Sequence, residues 1–89
     1  METHVTVRVV DHLNRPVSGA MFVINESPVP MPEIALITND AGEIHLNLPA
    51  GRYCFRASAY EATGELWLEL ENTKATSIEL MLKRHPTGE

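Results

Sequence analysis

Glu43-Ile44-His45-Leu46-Asn47-Leu48-Pro49-Ala50-Gly51-Arg52-Tyr53-Cys54-Phe55-Arg56-Ala57-Ser58-Ala59-Tyr60 decides the fold class. Ile44, Leu46 and Leu48 alternate with Glu43, His45 and Asn47, so an extended chain here has one apolar and one polar side. A period of two belongs to a half-buried β-strand, because successive side chains point to opposite faces. Pro49-Ala50-Gly51 breaks the pattern. It then resumes with Tyr53, Phe55, Ala57 and Ala59 on one side and Cys54, Arg56, Ser58 and Tyr60 on the other.

The same alternation extends in both directions. Upstream, Asn39-Asp40-Ala41-Gly42 reads as a turn, with Gly42 suited to positive φ. A short strand is expected over 34–38. Residues 26–33 carry Pro28, Pro30 and Pro32 and read as a loop or an extended edge segment, since proline lacks the donor of a central strand. A strand over 17–25 places Ala20, Phe22 and Ile24 on one face and Met21 and Val23 on the other. Residues 11–16 supply Asp, Asn and Pro for a turn. Before it, Val5, Val7 and Val9 alternate with Thr6 and Arg8. Downstream, Leu66, Leu68 and Leu70 alternate with Glu65, Trp67, Glu69 and Glu71. Ile78, Leu80 and Leu82 then alternate with Ser77, Glu79, Met81 and Lys83. On a helix those leucines would spread around the cylinder. Turns about every 8 to 12 residues point to an all-β sandwich. The expectation is one domain over 1–83, seven strands in two sheets, with 84–89 as a polar tail.

Composition narrows the function classes. A chain of 89 residues holds one domain. A net charge of −5, with seven basic residues scattered along the sequence, argues against nucleic acid. Cys54 is the only cysteine, so no intrachain disulfide can form. The start, Met1-Glu2-Thr3-His4, lacks the basic and apolar regions of a signal peptide. No apolar run approaches the roughly 20 residues of a membrane helix. The reading is a soluble, cytoplasmic domain, unless it is excised from a larger exported protein, with no membrane partner.

Four patterns stand in order: Val9-Val10-Asp11 with Arg15-Pro16-Val17-Ser18-Gly19-Ala20; Thr38-Asn39-Asp40-Ala41-Gly42-Glu43-Ile44; Leu48-Pro49-Ala50-Gly51-Arg52-Tyr53; and Ile78-Glu79-Leu80-Met81-Leu82. Together they resemble the carboxypeptidase regulatory-like family within the transthyretin-like (prealbumin-like) sandwiches, over roughly residues 5–83. The resemblance implies a seven-stranded, Greek-key-type, immunoglobulin-like sandwich serving as an accessory module. In the third pattern Tyr53 is expected to plug one end of the sandwich while its hydroxyl reaches backbone.

Reactive constellations are sparse. Hydroxyisourate hydrolases also resemble transthyretin, and His4-Val5, Arg15-Pro16 and Thr38-Asn39 are similar to their start and middle. Glu43 stands where that family has arginine, however, and the Tyr-Arg-Gly-Ser tail is missing. A hydrolase using His4, Arg15 and His45 is therefore the alternative, and a carbohydrate-binding module using Trp67, Tyr60 and Tyr53 a third. An internal isopeptide bond would want a lysine on the first strand, which offers Arg8; Lys74 and Lys83 lie near the end. His4, His12, His45 and His85 lack paired metal spacing and read as solvated imidazoles. Asn39, Asp40 and Glu43 offer too few oxygens for calcium. Cys54, between Arg52 and Arg56, has no histidine in a partner position. No catalytic group, cofactor or metal is expected.

The outward positions carry the remaining signal. Trp67, Met81, Met21 and Val23 face out by parity, with Tyr60 at a strand end. Tryptophan and tyrosine bury much area with little rotamer loss, which makes them frequent binding anchors. Contiguity decides the matter: a direct hairpin around 72–74 would make Trp67 and Met81 diagonal neighbours, whereas a crossover between sheets would part them. The expected role is a non-catalytic protein-interaction or scaffolding module centred on Trp67, its partner another protein or a second copy. The prolines protect an edge or present an extended ligand.

Overall fold

Alternation of valine, isoleucine, leucine and aromatic residues with polar ones produces strands throughout, and no helix occurs among the described residues. The computed structural model describes residues 2–31, 35–71 and 75–84. Eight strands run β1 (Glu2–Val10), β2 (Met21–Glu26), β3 (Leu36–Ile37), β4 (Glu43–Pro49), β5 (Gly51–Ala59), β6 (Ala62–Leu70), β7 (Thr76–Met81) and β8 (Lys83–Arg84). They form two sheets, β4-β1-β7 and β3-β2-β5-β6-β8, an arrangement consistent with a β-sandwich. In the three-stranded sheet β1 is antiparallel to β4 and parallel to β7. The five-stranded sheet is antiparallel throughout.

The inward positions read from the sequence supply the core. Val5, Val7, Val9, Phe22, Tyr53, Phe55 and Leu80 are buried together, and Ala20, Ile44, Leu48, Ala57, Leu70 and Leu82 complete the cluster. Phe22 meets Phe55 edge-on at 5.1 Å, and Tyr53 tilts against Phe55 at 5.8 Å. Full burial of a phenylalanine contributes about 2 to 3 kcal/mol, so these rings hold the two layers together. Tyr53 donates its hydroxyl to the carbonyl of Pro49 at 2.7 Å, the backbone reach its position implied. Burial pushes its phenol up from the ordinary value.

Two departures from simple alternation and one expected turn matter. Residues 17–20 form a connection, and β2 starts only at Met21. There Val17 donates to the carbonyl of Val9, and Thr38 Oγ1 accepts from Ala20 N–H and donates to Val17 carbonyl. The last strand is split. β7 pairs with β1, Leu82 donates to the carbonyl of Val10, and the chain then joins β6 in the other sheet as β8. Arg84, expected in the tail, pairs with Ala62 instead. Finally, Gly42 takes φ 75°, and a Cβ on it would lie 2.9 Å from Val17 N, so both turn and packing require glycine. Pro32, Ile34, the 72–74 connection and the tail residues beyond Arg84, His85 included, lie outside the described residues.

Candidate functional site

The outer side of the five-stranded sheet is assembled by register. Met21, Ser58 and Thr63 form one row, with Ile37 beyond Met21 and Lys83 beyond Thr63. Val23, Arg56 and Glu65 form the next, followed by Glu26, Cys54 and Trp67, then Arg52 and Glu69. Trp67 is half exposed, at 50%. The Arg52 guanidinium lies 5.0 Å from the centroid of its ring, a cation–π contact from the diagonal position.

The five expected partner-binding residues occupy four places. Trp67 stands on β6, in the row of Cys54 and Glu26. Met21 and Val23 share its face on β2, where Ile37 joins Met21 as an exposed apolar neighbour, but Cys54 and Arg56 of β5 intervene. Met81 belongs to the other sheet, since β6 and β7 do not pair; the connection crosses between layers. Its backbone nevertheless approaches β6 so closely that a Cβ on Gly64 would run into the Met81 carbonyl oxygen. Gly64 is three residues, about 10 Å of strand, from Trp67. Tyr60 sits in the two-residue β5–β6 turn with φ 55°, almost wholly exposed and at the far end of the hairpin from Trp67.

Two features of this face escaped the sequence. Arg52, Arg56 and Lys83, three of the seven basic residues, share this face by register, and Arg84, opposite Ala62, borders it, so the scattered distribution in sequence does not persist in space. All four are exposed, and none makes an ion pair among the described residues. Arg56, Lys83 and Arg84 line one hollow of about 420 Å³ with Thr63, Glu65 and Met81. Cys54 is the second feature. It shares the outward side of Trp67 yet is fully buried. Burial pushes its thiol up from the usual value, and the Glu65 carboxylate adds to the effect, so the neighbouring arginines do not activate it.

The edge of β6 is open beside Trp67. β8 pairs only with Ala62 and Thr63, and among the described residues no strand bonds to 65–70 on the side away from β5. In an antiparallel pair closed by a two-residue turn, alternate residues aim both backbone groups outward; here those include Trp67 and Glu69.

The alternative chemistries have their own placement. His4 and His45 meet on the outer side of the three-stranded sheet, with ring centroids 5.6 Å apart. Arg15 is held by Asp11 in the loop after β1, at 3.0 Å, roughly 20 Å along the strand from His4. Of the aromatic platforms, Tyr53 is buried, and Tyr60 is distant from Trp67. A second hollow, of about 850 Å³, lies at the hairpin end between Asp11, His12, Val17, Tyr60 and Leu82. Compared with known proteins, the chain matches no family model and no curated protein.

Proposed function

We propose that this domain is a non-catalytic interaction module that docks an acidic, extended segment of a protein partner along β6, over Trp67. The observation that carries the reading is a half-exposed tryptophan beside an edge that no described strand pairs with, on the face that carries Arg52, Arg56 and Lys83. Strand addition supplies backbone hydrogen bonds, and side chains flanking the edge supply selectivity. Glu26, Glu65 and Glu69 share this face, but Arg56, Lys83 and Arg84 concentrate positive charge around one hollow at its β8 end, in a chain of net charge −5, which favours an acidic partner there and disfavours like copies of the chain. Met81 borders the cationic hollow; Met21, Val23 and Ile37 form a separate apolar corner of the same face.

The finer fold type belongs to the same proposal: a Greek-key, transthyretin-like sandwich of the carboxypeptidase regulatory-like kind. Its support is the order of the four sequence patterns and the bond from Tyr53 to Pro49. Accessory, scaffolding use follows from that kinship by analogy alone.

The test uses the single tryptophan. A synthetic strand alternating glutamate with valine is titrated against the domain, with a lysine–valine strand as control. The acidic strand is expected to shift Trp67 emission and to bind more weakly as salt rises. By calorimetry, Trp67→Ala is expected to weaken binding by about 2 kcal/mol or more, roughly 30-fold. Glu69→Pro removes an outward N–H without touching the β5 ladder and is expected to weaken it while the fold persists. Equal binding of both strands, or binding indifferent to both substitutions, would overturn the proposal.

A further inference from the structure

On the opposite side of the molecule, His4 of β1 and His45 of β4 are brought together by register. Thr6 pairs with His45 and His4 with Asn47, so the two histidines are diagonal neighbours. Their rings are nearly parallel, at 26°, and both are exposed. His4 Nε2 lies 3.5 Å and His45 Nδ1 3.3 Å from one oxygen, Thr6 Oγ1. The other nitrogen of His45, Nε2, is 3.1 Å from Glu43 Oε1.

This arrangement fixes the tautomer of His45. A carboxylate only accepts, so in the neutral ring Nε2 carries the proton and donates to Glu43, which leaves the Nδ1 lone pair aimed at Thr6. The hydroxyl of Thr6 has one proton and two nitrogens before it, so it satisfies at most one lone pair by donation. A carboxylate behind an imidazole whose other nitrogen is open is the outer support found at metal-bound histidines.

We propose that His4 and His45 form a two-histidine site for a divalent transition-metal ion of the imidazole-preferring class, such as Zn²⁺, Ni²⁺ or Cu²⁺. The ion takes His45 Nδ1 and His4 Nε2, displacing the contacts to Thr6. Small ring rotations, free on an exposed face, bring the nitrogens to the roughly 2.0–2.1 Å that such bonds need. No group of three or more His, Cys, Asp or Glu side chains able to hold a metal occurs among the described residues. The remaining coordination positions therefore belong to water or to a donor from outside the domain. Glu43 acts as a positioning residue. Acid releases the ion, because imidazole must be deprotonated to bind.

The experiment is an Ni²⁺ titration of the intact chain followed by the ring-proton resonances, with calorimetry alongside. His4 and His45 signals are expected to broaden together at the same Ni²⁺ concentration, with His12 following only at higher concentration. His4→Ala and His45→Ala are each expected to weaken affinity more than about 10-fold, and Glu43→Gln by about 10-fold or more with both imidazoles retained. Broadening of neither ring, of one without the other, or of His12 first would overturn the proposal. So would an affinity unchanged in the His4→Ala, His45→Ala double variant. The wild-type spectra decide the matter even where a variant misfolds.

Discussion

The two outer faces are made by the same alternation but differ in chemistry. On the three-stranded sheet, His4, His45, Asn47, Glu79 and Ser77 are all exposed, and the Arg8–Glu79 bridge at 3.1 Å lies at the surface. On the five-stranded sheet the outward residue Cys54 is sealed, while Trp67 is half covered and carries a guanidinium on its ring. Both β1 and β5 are interior strands of their sheets, so strand position alone does not explain the contrast. The size of the cross-strand neighbours does. Cys54 stands between Trp67 and Glu26 with Arg52 and Arg56 before and behind, and long side chains fold over a small one. Thr6 stands between His45 and Ser77, with the His4 and His45 rings at its hydroxyl, and is only half-buried.

Substitutions can sharpen or break this contrast. The largest effect is expected where the two sheets touch. Gly64→Val would place side-chain atoms into the Met81 carbonyl and Leu80, at a cost of about 3 kcal/mol or more. Ser77→Val, exposed on the other sheet, is expected to stay within about 0.5 kcal/mol by the same urea denaturation. Next, Cys54→Ala is expected to cost about 1 to 2 kcal/mol, whereas His45→Ala, of equal outward parity, costs under about 0.5. Equal costs would abolish the distinction between the faces. A thiol reagent gives a second reading: Cys54 should react slowly when folded and rapidly in denaturant.

Smaller effects follow at the surface. Arg52→Ala is expected to lose about 0.5 to 1 kcal/mol and to shift Trp67 emission to the red as the ring gains water. The loop joining the sheets should show a pH signature without a large energy. Asp11 accepts the N–H of Arg15 and of Leu13 and pairs with the Arg15 guanidinium. The Arg15 backbone bond leads in holding its carboxyl below 3.8, against opposing desolvation. A carboxyl depressed on folding adds stability above its unfolded value and loses it as pH falls through the folded one. An NMR titration should therefore place the Asp11 midpoint below 3.8, and Arg15→Ala should raise it.

Much of the fold was legible because burial on one face imposes a period of two. The inward valines of β1, the Phe22–Ile24 face and the Tyr53–Ala57 face all point to the core as alternation requires. What alternation missed were places where the third dimension intervenes. The strand over 78–82 reads as continuous, yet it divides at Leu82 because β1 and β6 claim successive parts of it. Alternation leaves open whether Met81 and Trp67 share a hairpin or are parted by a crossover, and the strand order puts them in different sheets. Arg52 and Arg56 come from β5 and Lys83 and Arg84 from β8, and only pairing through β6 brings them near one another.

The sequence by itself determined the all-β class, the inward set of side chains, the glycine turn at Gly42 and the lack of any disulfide. These are local matters of side-chain period, backbone φ and cysteine count. Tertiary structure decided which outward residues meet. Register set His45 diagonal to His4, 41 positions away in the chain, and set Trp67 against Cys54 beside an open edge. A strand's pattern says which side each residue takes, but its partner across the sheet depends on register and strand order, and those follow from packing of the whole core.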